Sequence, residues 1–196
     1  NSEKVNVLAR RRFSELVFGE KHPYGVTVKD DDFDKLTLES VIEFYKTFYH
    51  SGNCTIIASG KLSKDLIETL NRFFGKTTWG EVQAIPVPKM EVQTTKQLKH
   101  FIEKPDAIQS AVRVGRLMFN KKNPDYFKFQ VLNTILGGYF GSRLMTNIRE
   151  DKGYTYGIGS GLASLVNGGF FYISTEVGTD VTNDTLKEIY KEIKLL

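Results

Sequence analysis

Residues 137–156 read Gly-Gly-Tyr-Phe-Gly-Ser-Arg-Leu-Met-Thr-Asn-Ile-Arg-Glu-Asp-Lys-Gly-Tyr-Thr-Tyr. Gly137 and Gly138 close a helical pattern, and a short amphipathic segment follows with Leu144, Met145 and Ile148 on one side. Arg149 and Tyr156 stand on either side of Gly153. A guanidinium is permanently charged and offers five donors in a fixed fork, while a tyrosine hydroxyl adds a neutral donor. A glycine turn that brings the two together at the start of a strand gives a grip for a peptide carbonyl, or for the oxyanion it becomes. The bland alternative is an ordinary helix-end ion pair and a strand tyrosine.

Downstream, residues 154–165 and 169–178 alternate as a hairpin around Asn167-Gly168. Phe170, Phe171 and Tyr172 alternate within it, so one side is expected in the core and the other partly covered. The chain then runs into a helix, Val181–Leu196, with Leu186, Ile189, Tyr190 and Ile193 at helical spacing. Upstream, Asn123-Pro124 opens a helix to about Leu136, preceded by strand-like runs at 96–103 and 108–119.

The first part has its own order. A helix over 3–18 stops near Gly19; loop residues carry His22-Pro23-Tyr24-Gly25 and the acidic run Asp30–Asp32. Thr37 is suited to cap a helix whose Val41, Phe44, Tyr45, Phe48 and Tyr49 form a core-facing stripe. Asn53–Ser59 reads as a strand turned by Gly60, and Ser63 caps a helix that turns Leu66, Leu70, Phe73 and Phe74 inward and ends at Gly75. Pro86 and Pro88 punctuate a polar stretch. The expected division is 1–80 as α-α-β-α, 81–95 as linker, and 96–196 as β-β-α-β-β-α. A lone strand needs partners for its backbone groups. Strand 53–59 is therefore expected to dock on the sheet of the second half as one permuted domain, or between two chains as a swapped homodimer.

Composition narrows the function. The 196 residues hold 27 basic and 23 acidic side chains, a surplus of +4 that does not by itself point to nucleic acid. The Arg10-Arg11-Arg12 run reads as a solvated helix face. Cys54 is the only cysteine, which excludes an internal disulfide and a thiolate metal site; its apolar surroundings suggest a buried, inert thiol. No apolar run reaches the ~18 residues of a membrane span. The glycine spacing fits neither a P-loop nor a dinucleotide fingerprint, so Gly137, Gly138 and Gly153 are expected to serve backbone shape.

Taken together, Gly137-Gly138, Ser142-Arg143-Leu144, Ile148-Arg149-Glu150, Gly153 and Tyr156 resemble the metal-free second domain of the pitrilysin/insulinase/mitochondrial-processing-peptidase family. His22-Pro23-Tyr24-Gly25, Thr37–Tyr49, Asn53–Gly60 and Leu66–Gly75 are similar to pieces of its first domain. The resemblance implies an α+β fold, a largely antiparallel sheet packed against helices. It implies a wall of a peptide chamber, with an extended peptide added to a strand edge and Arg149 and Tyr156 as catalytic-site residues on the substrate carbonyl. It also implies zinc held by His-x-x-Glu-His plus a downstream Glu in another domain or a partner chain. His22, His50 and His100 are the only histidines and none lies in such a motif; no metal is expected on this chain itself. The other reading is an inactive structural or binding subunit of the same fold.

Overall fold

The computed structural model of the chain describes residues 4–75, 78–80 and 91–196. They form two compact units, one made of 4–27 with 91–196 and the other of 28–75 with 78–80. Of the expected linker 81–95, residues 81–90 lie outside the described set.

The larger unit is an α+β layer structure built on the anticipated hairpin. Strands β2 (Ile158–Leu165) and β3 (Gly168–Gly178) pair antiparallel with Leu165 opposite Gly168. The turn is therefore Val166-Asn167, one residue earlier than Asn167-Gly168, and Gly168 already belongs to the ladder. Strand β1 (Gln109–Met118) lies along the other side of β3, giving the order β1-β3-β2. The run 96–103 forms no strand; its Leu98 and Phe101 are exposed. A strand exists only where a neighbour satisfies its backbone, and these residues have no ladder partner among those described.

Period-two alternation divides the sheet. Val112, Ile158, Ile173 and Val177 turn to one face, where they meet Leu136, Leu144, Met145, Ile148 and Ile189 in one core. The cover comes from a helix (Tyr126–Asn133) with its π-helical end Thr134–Gly138, a π-helical segment Met145–Asp151, and the closing helix Thr182–Lys194. Each fully buried Leu or Ile contributes on the order of 1.5–3 kcal/mol, so this face carries most of the unit's stability.

The opposite face receives the first helix, α1 (Val5–Phe18), which the sequence assigned to the first half. Phe13 and Phe18 each lie 5.8 Å from Phe170, and Asn6 donates to Glu176 at 3.0 Å. The reason is the hairpin's second face: Phe170 and Tyr172 need a cover, and Gly115 leaves the room. A Cβ there would lie 2.7 Å from Phe13 Cζ. The end of α1 is closed by residues 93–95, where the Gln93 N–H donates to the Phe18 carbonyl at 3.1 Å and the Thr95 N–H to Leu16 at 3.0 Å. His22 stacks on Phe18 at 5.3 Å and its Nδ1 accepts the Tyr24 N–H at 3.1 Å, a structural role.

The smaller unit holds short helices at Asp30–Asp34, Leu38–Phe48 and Lys64–Leu70. The acidic run read as loop is thus helical, its first turn stabilised by Asp32 accepting the Lys29 N–H at 2.9 Å. Thr37 caps as expected, exchanging hydrogen bonds with Ser40 at 3.1 Å, and Ser63 accepts from the Leu66 N–H at 3.2 Å. The apolar stripe is where anticipated but does not form a core: Val41, Phe44, Tyr45 and Tyr49 are more than half exposed, as is Phe73. Neighbouring rings meet along the helix instead, Phe44 tilted against Phe48 at 4.5 Å and Tyr45 stacked on Tyr49 at 5.2 Å. Residues 54–59 form no strand and Cys54 is exposed, against the expected strand and buried thiol. Among the described residues, 54–59 join no strand ladder, the pairing on which the expected permuted domain depends. Among the described residues no helix is long and apolar enough to cross a membrane.

Candidate functional site

Arg149 sits in the Met145–Asp151 segment and Tyr156 on the loop that joins it to β2. Leu144 and Ile148, both fully buried, anchor the segment, and the Ser142 N–H donates to Tyr139 at 3.2 Å to close its entry. Gly153 then takes φ of +66°, a left-handed stop that side-chain-bearing residues rarely adopt. The Gly153 N–H still donates to the Arg149 carbonyl at 3.1 Å, and Tyr154 to Ile148 at 3.0 Å. The chain turns back past its own helix, so Arg149 Nε donates to the Tyr156 main-chain carbonyl at 3.0 Å.

Two further groups complete the geometry. The Arg149 guanidinium lies 4.6 Å above the Phe140 ring, and Glu150 Oε1 is 3.9 Å from Nη1. Thr155 fixes the loop beneath: its hydroxyl is 2.7 Å from the Glu176 carbonyl and accepts the Gly157 N–H at 3.1 Å, with Thr175 Oγ1 at 2.9 Å. Tyr156, 95% exposed, is left pointing outward, and among the described residues no hydrogen bond joins its hydroxyl to the guanidinium. Sequence reading did not single out Phe140, Thr155 or Thr175; the aromatic pair between Gly138 and Gly141 was the available signal.

The glycines divide by function in the backbone. At Gly137 a Cβ would lie 2.6 Å from Ser160 Oγ and 2.7 Å from the Ser160 nitrogen, so close approach to β2 demands glycine. Gly138 is less confined, its nearest neighbour being Asn133 at 3.2 Å. β2's own outer edge is partly taken: Ser160 O accepts from Asn133 at 3.4 Å and Leu165 O from Asn120 at 3.0 Å.

A polar latch holds the Arg149-bearing segment to the closing helix. Arg143 Nη2 is 2.7 Å from Glu192 Oε2, and Asn147 donates to Glu192 at 2.7 Å and to Glu188 at 2.9 Å. Glu192 is buried and accepts from both Arg143 and Asn147, so Glu192→Ala, which removes both contacts, is expected to cost about 1–3 kcal/mol, read as a lower urea midpoint. The Asn147 hydrogen bond, assisted by Lys152 and Lys191, holds the Glu188 carboxyl below its ordinary value of 4.5. A folded-state value below the unfolded one adds stability above the carboxylate range, and that stability is lost as pH falls through it.

Zinc does not fit this donor set. His22 is committed to Tyr24, His100 Nε2 lies 2.9 Å from the Gln97 carbonyl, and His50 is enclosed in the smaller unit. Among the described residues no three His, Cys, Asp or Glu side chains gather as a metal-holding group. Untagged chain is expected to carry no stoichiometric zinc and to melt at the same temperature with or without chelator. One tightly held zinc with a histidine ligand would contradict this.

A family model described as "Peptidase M16 inactive domain" matches residues 35–196. The chain belongs to the peptidase M16 inactive-domain family. It is similar to the "Uncharacterized zinc protease YmxG" of Bacillus subtilis (strain 168), 24% identical over 174 residues, which covers 87% of this chain and 41% of that protein. It is also similar to the "Probable inactive metalloprotease YmfF" of the same organism, 23% identical, covering 83% and 38%. This M16 inactive domain thus spans about two fifths of the length of these curated relatives. Its fold is shared by a peptidase M16 inactive domain from Pseudomonas fluorescens, with a TM-score of 0.75, 24% identity and coverage of 98% and 47%. A protease from Helicobacter pylori matches with a TM-score of 0.80, 20% identity and coverage of 96% and 46%.

Proposed function

We propose that this M16 inactive domain binds peptide, forming part of the substrate chamber of a zinc peptidase. In this reading Arg149 and Tyr156 engage the carbonyl of the bond to be cleaved. The observation that supports it is the Arg149 Nε hydrogen bond to the Tyr156 carbonyl, which sets a charged donor and an exposed hydroxyl on one glycine-stopped loop. The bond uses Nε and leaves the two terminal nitrogens of the guanidinium for an incoming oxygen. A carbonyl oxygen gains negative charge as it is attacked, so donors placed where that charge develops favour the transition state over the ground state. The chain's contribution stops at binding and orienting peptide; cleavage belongs to a zinc-bearing domain or partner chain.

A second reading, a catalytically inactive subunit, is favoured by the printed description of one relative as an inactive metalloprotease. The two separate on Arg149→Ala and Tyr156→Phe introduced into the protein that includes the zinc-bearing region. Lost turnover with retained peptide affinity supports the first. Turnover that is absent in the parent, or unmoved by both substitutions, supports the second.

A further inference from the structure

We propose that Phe140 is the positioning residue for Arg149, holding the guanidinium in the orientation that meets a substrate oxygen. The inference rests on the carbonyl-binding reading of Arg149. A single hydrogen bond from Nε to the Tyr156 carbonyl, 3.0 Å long, pins one corner of the guanidinium and leaves it free to swing about that bond. The second hold is the Phe140 ring, 4.6 Å from Arg149 Cζ. Among the described residues the carboxylate paired with it is Glu150, at 3.9 Å on an exposed side chain, too far for a hydrogen bond.

The chemical nature of the holder matters. A carboxylate at hydrogen-bond distance would fix the guanidinium but cancel the charge that a developing oxyanion needs. An aromatic face attracts the cation through its quadrupole and leaves the terminal N–H donors and the net charge available. The backbone presents the ring for this purpose: Tyr139 is extended at φ −151° and ψ 173°, and the Ser142 N–H closes the turn onto the Tyr139 carbonyl. Phe140 remains 63% exposed, so its ring does not serve the core. Pre-set orientation of this kind lowers the barrier because the donor need not be ordered during reaction.

The test has two arms. In the isotope-labelled chain, Phe140→Leu is expected to speed exchange of the Arg149 Nε–H with water, and Phe140→Trp to restore protection. In the zinc-containing parent, Phe140→Leu is expected to lower kcat by roughly three- to tenfold with KM little changed, and Phe140→Trp to recover it. Unchanged Nε–H exchange in the leucine variant, or an equal fall of kcat in both variants, overturns the positioning role. Faster exchange with unchanged kcat also overturns the positioning role, and the carbonyl-binding reading then stands or falls on Arg149→Ala alone.

Discussion

Arg149→Ala, in the protein that carries the zinc-bearing region, is expected to lower kcat for peptide cleavage by about 10²–10³-fold, the usual effect of removing one oxyanion donor. KM should change far less, because the interaction strengthens as charge develops on the oxygen. Lysine is not expected to rescue, since a point charge cannot donate to the Tyr156 carbonyl and to substrate in one plane. Tyr156→Phe removes a neutral donor and should fall in the same direction with a smaller loss. The fold should tolerate both changes: the arginine side chain is one-third exposed and the tyrosine almost wholly so. Peptide kinetics within twofold of wild type in both variants would reduce the pair to a structural contact.

Gly137→Ala is expected to be the most damaging substitution to the fold among the site glycines. The added methyl would sit 2.7 Å from the Ser160 main-chain nitrogen and 2.9 Å from Leu144 Cδ1. A flexible side chain could move aside, but a strand backbone cannot, so the Thr134–Gly138 turn must lift off β2. Overpacking of this kind costs about 1–3 kcal/mol, and the upper end is expected here. Gly138→Ala, whose nearest contact is 3.2 Å, should cost well under half as much. Denaturant midpoints of the two variants check the contrast; equal losses would show that the glycine pair acts through chain flexibility and not through close approach.

The second half of the fold was legible in the sequence because its signals are local. Asn167-Gly168 between alternating runs gave the hairpin, missed by one residue only because Val166-Asn167 closes the turn. The helical spacing of Leu186, Ile189 and Ile193 gave the closing helix. Thr37 and Ser63 were correctly read as caps, since a cap is decided within three residues. What failed depends on distant partners. α1 carries no mark saying which sheet it covers; that was settled by the bare face of Phe170 and Tyr172 and the gap at Gly115. The stripe of the Leu38–Phe48 helix shows a hydrophobic pattern, yet a pattern only states that a face can be buried, and this one is exposed. Residues 54–59 likewise have strand-like composition and no ladder.

Of the site, the residue types and the Gly153 stop were readable, and the turn sets the Arg149 guanidinium against the Tyr156 main-chain carbonyl. The contact itself was not readable, because it runs from the guanidinium to a main-chain carbonyl and not to the phenol. Phe140 and Thr155 escaped for the same reason. Their roles are set by what lies across the loop, the Arg149 cation in one case and the Glu176 carbonyl in the other.

The most direct test of the account is the structure of the zinc-bearing protein with a non-cleavable peptide analogue bound at the scissile position. The expected result places the analogue's carbonyl or tetrahedral oxygen about 2.7–3.1 Å from an Arg149 terminal nitrogen and the Tyr156 hydroxyl. An analogue bound at the zinc with that oxygen held by other groups, and with Arg149 and Tyr156 facing solvent, would contradict it.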